Sequence, residues 1–252
     1  MSAARGERPI LVEELTSPGF AKHAKRRPLV IVPIGSIEEH GSHLPLCTDS
    51  FQGEEVARRV ALLFDALVCP PIRYGMCRST RNFPGTISIS TKTVEALAYE
   101  IVSELARNGI DKVMLISGHA GDAHMEALRS GAHRAVHENR HIKVMVLSDY
   151  DIAYDLRGKE FPEDDGHAGH IETSRMLGIR DDLVGSSRPK GRTRPPRFMI
   201  LPDPERHFPS GVMGDSEGSS ARKGRAIDDY VVGELCKLVE ANFGLKRARK
   251  GV

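Results

Sequence analysis

The stretch PLVIVPIGSIEEHGSHLPLCTDS, residues 28–50, decides how this chain reads. Its first half, Pro28-Leu29-Val30-Ile31-Val32, is a short, branched apolar run of the kind that forms a buried strand. Gly35 breaks the run, as expected where a strand gives way to a loop. Glu38, Glu39, His40, His43 and Asp49 then follow within a few residues. So many ionisable groups in a mostly neutral loop lose solvation free energy unless a cation sits among them. Glu38 and His40 are two residues apart, so in extended chain both side chains leave the same face. Asp49 is expected to fold back towards them across Gly41 and Pro45. Carboxylate and imidazole donors suit zinc, manganese or iron rather than calcium. The alternative reading of these residues alone is a polar loop with ordinary surface histidines.

Working outward, the 252 residues are ample for one large α/β domain or two small ones. Hydrophobic residues at 40% and charged residues at 28% place the chain among globular proteins. A net charge of +2 gives no basis for nucleic acid as the main partner. No apolar run approaches the roughly 20 residues needed to cross a bilayer. The first residues, MSAARGERPI, lack the apolar core of a signal peptide, so a cytoplasmic location is expected. Cys47, Cys69, Cys77 and Cys236 show no CxxC spacing and are expected as reduced thiols, neither a disulfide frame nor a zinc knuckle.

Residues 11–26 read as helical material interrupted at Pro18-Gly19, leading into a strand at about 28–34. Helical apolar spacing resumes over Gly53 to Phe64, before a short strand from Ala66 to Pro70. Tyr74 to Gly85 is irregular, and Thr86-Ile87-Ser88-Ile89-Ser90 alternates as an edge strand does. Thr91 to Asn108 is a capped helix with Val94, Leu97, Ile101, Val102 and Leu105 on one face, stopped at Gly109. A strand at Lys112 to Ser117, a helix from about His124 to Glu138 and a strand at Ile142 to Leu147 complete a βαβ unit. This alternation predicts an open, mainly parallel sheet with helices on both faces, whose ligands sit at the carboxyl ends of the strands. Residues 35–50 and 118–122 both occupy that position. Residues 186–220, rich in Pro, Gly and Arg, form a long loop: a lid, a binding loop, a subunit contact or a solvated excursion. Arg222 to Phe243 returns to helical spacing.

Two further segments repeat the vocabulary of the first. His119 lies in the turn Gly118-His119-Ala120-Gly121-Asp122, directly after a strand. Asp164-Asp165-Gly166-His167-Ala168-Gly169-His170-Ile171-Glu172-Thr173-Ser174 brings two histidines and a carboxylate to the start of a helix. His170 reads as structural or surface, and a purely structural Glu172 would serve the helix dipole. Together, Glu-x-His…Asp, Gly-His-x-Gly and His-x-Gly-x-x-Glu-Thr-Ser, in this order, resemble the creatininase family of metal-dependent amidohydrolases over residues 28–240.

The resemblance implies a single three-layer α/β/α domain over residues 1–252 (core about 28–240), with a mainly parallel sheet. It also implies two divalent metal ions, zinc first and manganese or iron next, and usually a homohexamer. Carried over by motif, Glu38 and His119 hold one ion, His40 the other, and Asp49 bridges them. Creatininase itself has a glutamate ligand two residues after the Gly-His histidine. Here that position is Gly121, so Glu172 is the expected replacement, with Asp122 a weaker one. His167 matches the family's general acid/base, and the residues expected in catalysis are His167 and Glu172. Paired ions about 3.5 to 4 Å apart activate water and polarise an amide carbonyl, while a histidine protonates the departing nitrogen. Glu39 reads as a supporting or solvated group, and His43 as a supporting or substrate contact.

The resemblance implies a non-peptide amide substrate, a cyclic amide such as creatinine or a formamide, with the peptide tail of a redox-cofactor precursor as the alternative. Creatininase uses tryptophans near its substrate, and this chain contains none. Arg188, Lys190, Arg192, Arg194 and Arg197 offer an anion site, a solvated basic loop or a subunit contact. Residues 78–82 form another candidate pocket edge. The rival of a different class is a metal-stabilised oligomer that binds a small metabolite without catalysis; such a protein has no need of His167.

Overall fold

The computed structural model describes residues 8–191, 196 and 198–248. In chain order the main elements are β1 (Ile10–Leu11), α1 (Ser17–Ala24), β2 (Leu29–Ile34), α2 (Thr48–Phe64), β3 (Leu67–Val68), α3 (Thr91–Arg107) and β4 (Lys112–Ser117). There follow α4 (Asp122–Glu138), β5 (Lys143–Ser148), α5 (Tyr150–Ala153), α6 (His170–Ile179), β6 (Lys190–Gly191), β7 (Gly214–Asp215) and α7 (Ala221–Phe243). One sheet has the order β1-β3-β2-β4-β5, and every pairing in it is parallel. β6 and β7 form a separate antiparallel pair. Among the described residues no helix is long and apolar enough to cross a membrane.

Strand alternation sorts the core into two layers. Leu29, Ile31, Met114 and Ile116 face one side of the sheet, with Val56, Val60, Val231 and Leu235 from α2 and α7. Val30, Val32, Ile34, Val113 and Leu115 face the other, with Val94, Val102, Leu128 and Ala132 from α3 and α4. The period of two on each strand therefore builds a three-layer α/β/α sandwich. Each fully buried Ile or Leu contributes about 1.5–3 kcal/mol. Truncating Ile116 to alanine would cost about 2–5 kcal/mol, because the packed layers cannot close the cavity.

Four expectations are corrected. Pro18-Gly19 does not interrupt a helix but begins one: Thr16 caps α1, its hydroxyl accepting from the Gly19 N–H at 3.2 Å, with Pro18 in the first turn where no N–H is needed. Leu11, expected at the start of helical material, pairs with β3 instead, together with Ile10. Thr86–Ser90 is not an edge strand, because its alternate N–H groups go to two different loops: Ile87 donates to Ile37 and Ile89 to Gly75, both at 2.9 Å. α2 starts at Thr48 rather than Gly53, so Asp49 comes from a helix's first turn and not from a loop folded back over Gly41 and Pro45.

α6 is clamped from behind. The Arg175 guanidinium, fully buried, donates to Asp149 at 2.7 Å and to Asp228 of α7 at 2.7 Å. At its N-terminus the Asp165 carboxylate accepts the N–H groups of His170 (2.6 Å) and Ile171 (3.0 Å), satisfying donors that the helix leaves open. His170 is thus structural: it is buried, its ring lies edge-on to Phe161, and Nε2 is 2.9 Å from Lys223 Nζ.

Candidate metal centre

β2 and β4 are neighbours in register as far as Ile34 opposite Ser117, so the loops that follow them leave the sheet side by side. β3 lies on one side of β2 and β4 on the other. This reversal is the switch point at which parallel α/β sheets open a crevice. The first turn of α2 enters that crevice. A Cβ on Gly118 would collide with the Asp49 carbonyl oxygen, so the close approach of α2 to the end of β4 requires glycine there.

Three imidazoles and three carboxylates meet in the crevice, and the imidazoles share one arrangement. His119 Nε2–H donates to the Met76 carbonyl at 3.0 Å, which leaves Nδ1 facing Glu38 Oε2 (2.8 Å) and Asp49 Oδ2 (3.0 Å). His40 Nδ1–H donates to the Glu38 carbonyl at 3.0 Å, which leaves Nε2 facing Asp49 Oδ1 (3.0 Å) and Glu172 Oε2 (3.6 Å). His167 Nε2–H donates to the Glu39 carbonyl at 2.7 Å, and its ring stands 4.4 Å from that of His40. A backbone carbonyl that fixes one ring nitrogen and presents the other to carboxylates is the orientation metal-ligating histidines adopt. Asp49 joins the two halves, one oxygen towards each histidine. Ser36 Oγ donates to Asp49 Oδ2 at 2.6 Å, and the Thr80 hydroxyl donates to Glu38. The donor set therefore fits divalent metal.

The electrostatics agree. Burial alone would raise Glu38, yet His119 beside it brings it down to about 2. Asp49 is lowered by His40 and His119 against the same burial. Burial opposes charge on His40, but Asp49, Glu172 and Glu38 raise it to about 10; His119 is also raised above its ordinary value, by Glu38 and Asp49 against the same burial. Glu172 stays above the ordinary carboxylate range because burial outweighs His40 and His167. Without a cation, protons on the imidazoles compensate the carboxylates.

The structure thus brings together Glu38, His40, Asp49, His119, His167 and Glu172. Asp122 is exposed in the first turn of α4 and stands outside the cluster. Glu172 Oε2 also accepts the Ala168 N–H at 2.6 Å, which aims it at His40. His43 is buried, with Nε2 2.8 Å from Thr173 Oγ1, and burial and Arg188 lower it to about 4. Glu39 is buried, not solvated, and accepts the Gly41 N–H.

Sequence reading gave no role to Ser36, Thr80, Cys77 or His124. Cys77 Sγ, Glu38 and His119 offer donor atoms within 4.8 Å of one another, as do Glu38, His40 and His167. His124 is buried and neutral: burial, then the charge of His119, lowers it to about 3, and Nδ1 accepts the Met76 N–H at 3.2 Å. A lone cysteine in an irregular segment carries no sequence signal, whereas Ser36 lay inside the decisive stretch.

A cavity of about 470 Å³ opens onto Glu38 and His119, walled by Arg78, Ser79, Met199, Ile200 and Leu201. A second, of about 660 Å³, adjoins it through Met76, Arg78, Leu201 and Pro204 and adds Arg81 and Asn82. Arg188 donates to the Gly185 and Ser187 carbonyls, and Lys190 pairs with Asp215 and Glu217. Arg192, Arg194 and Arg197 lie outside the described residues.

A parallel α/β sandwich with this centre at its strand ends defines a hydrolase of the metal-dependent amidohydrolase class. The chain belongs to the creatininase family, whose creatinine amidohydrolase profile it matches over residues 13–239. It is 30% identical over 255 residues to the creatinine amidohydrolase of Pseudomonas putida, covering 93% of this chain and 97% of that protein. It is 34% identical over 212 residues to a mycofactocin precursor peptide peptidase of Mycolicibacterium smegmatis, covering 79% of each. A solved mutant creatininase of Zn-Zn type superposes with a TM-score of 0.84 at 28% identity, over 94% of this chain and 99% of that one.

Proposed function

We propose that the chain is a single-domain amidohydrolase with two divalent ions, zinc in the first instance, that cleaves a non-peptide C–N amide bond. The observation that carries this is Asp49, whose two oxygens stand 3.0 Å from two imidazoles, each anchored on a backbone carbonyl. In this reading Glu38, Asp49 and His119 hold one ion, and His40, Asp49 and Glu172 the other. Bound there, the pair would supply an activated water and Lewis-acid polarisation of the amide carbonyl.

The remaining chemistry belongs to side chains. His167 keeps Nε2–H on the Glu39 carbonyl, so Nδ1 is the atom that hands a proton to the departing nitrogen. Burial of the centre excludes bulk water and strengthens each of these contacts. Ser36 and Thr80 hold the Asp49 and Glu38 carboxylates in place. Arg78, exposed at the rim, faces the part of the substrate away from the scissile bond.

Creatinine-like cyclic amides and formamides are the first substrates. Peptide hydrolysis is the second reading, favoured by the peptidase relative and by adjoining cavities larger than one small ring needs. We also place the protein in the cytoplasm as a homo-oligomer, hexameric by the family resemblance. Phe198 and Ile200, each 93% exposed, suit a subunit contact.

The test is metal content per chain of wild type and Asp49→Ala, followed by hydrolysis assays on creatinine, formamides and short peptides. About two ions falling to one or none, with turnover of an amide, is the expected result. One ion or none in reconstituted wild type supports the non-catalytic binding protein.

A further inference from the structure

Three of the four cysteines have ordinary surroundings. Cys69 and Cys236 sit in the apolar layers, and Cys47 lies beside Arg73 at 3.3 Å. Cys77 is different. Its side chain is fully buried and is directed into the crevice, beside Glu38, His119 and Ser36. Its own N–H donates to Ser88 Oγ at 2.9 Å, which pins the start of the loop that also carries Thr80. A thiol serving as apolar filler has apolar neighbours; this one has the Glu38 carboxylate and the His119 imidazole.

Zinc bonds sulfur at about 2.3 Å and nitrogen or oxygen at about 2.0–2.2 Å. Donor atoms grouped within 4.8 Å can therefore share one ion after small side-chain shifts. We propose that Cys77 is a thiolate ligand of the ion held by Glu38, Asp49 and His119. This rests on the two-ion reading above and adds a soft donor to one half of the centre. On loading, the Sγ–H bond breaks, an Sγ–metal bond forms, and the proton leaves to solvent. A coordinated cation stabilises the thiolate over the thiol. A sulfur ligand favours zinc over manganese at this half and leaves the His40 half unbiased.

The experiment uses the full chain loaded with cobalt(II) as a spectroscopic substitute for zinc. The expected result is a thiolate-to-cobalt charge-transfer band in the near ultraviolet, lost in Cys77→Ser and kept in Cys236→Ser, while Cys77→Ser still binds cobalt. Independently of any variant, zinc-edge X-ray absorption of wild type should show one sulfur scatterer per chain, half of one per zinc when both ions are bound, at about 2.3 Å. A cobalt-loaded wild type without the band, a band that survives in Cys77→Ser, or a zinc shell of nitrogen and oxygen alone overturns the assignment. A chain that binds neither metal overturns the two-ion reading, and the thiol ligand with it.

Discussion

Gly121 lies against the His119 ring: a Cβ at position 121 would stand 2.7 Å from His119 Nε2, the nitrogen bonded to the Met76 carbonyl. The glutamate that creatininase carries here has no room while His119 holds this orientation. Gly121→Ala should push the ring off Met76 and misdirect Nδ1 from Glu38 and Asp49. Metal affinity should fall about 10- to 100-fold, measured by competition with a chromophoric chelator. Unchanged affinity would show that His119 Nδ1 is not a ligand.

In the proposed centre Glu172 takes the role that position 121 cannot. Glu172→Gln keeps the shape and the contact with Ala168 but removes the charge facing His40. Its metal content should drop by about one ion per chain, and the double variant Gly121→Glu/Glu172→Gln should not recover it. Full loading of Glu172→Gln would move the missing ligand elsewhere.

His167 has two candidate roles, since it also lies within reach of an ion beside Glu38 and His40. As the proton donor, His167→Asn should retain both ions and lose about 10²- to 10⁴-fold in kcat. Loss of an ion together with kcat would make His167 a ligand instead.

Metal loading should release protons. In the metal-free chain the carboxylates raise His40 to about 10 and hold His119 above its ordinary value, so both rings keep their protons more tightly than a free imidazole. An incoming ion displaces those protons, so affinity should climb as pH rises towards about 10 and weaken as pH falls. Calorimetric titration in buffers of different ionisation enthalpy reads the release directly; net uptake or no exchange would contradict it.

The buried Arg175 clamp is a matter of stability rather than chemistry. Arg175→Met would leave Asp149 and Asp228 buried without their cation, at a cost of about 3–5 kcal/mol. For a chain of this size the melting temperature should fall by roughly 10 °C, read by calorimetry. Replacing all three residues with apolar side chains should recover much of it.

The apolar runs and their spacing were enough to place β2, α3, β4 and α7, because a strand or helix that buries one face must repeat apolar residues at its own period. The short strand β1 and the start of α2 escaped, since two paired residues have no period and Thr48-Asp49-Ser50 is polar. The family resemblance carried by the three motifs picked out Glu38, His40, Asp49, His119, His167 and Glu172 as belonging together. Which oxygen faces which nitrogen was not in the sequence: it follows from adjacent strand ends and from carbonyls of Met76, Glu38 and Glu39 that orient the rings. Nor was the choice of Glu172 over Asp122, or the arrival of Cys77 beside Glu38. Local chemistry is written along the chain, but distance between residues far apart in it is decided only when the sheet closes its register and the helices pack.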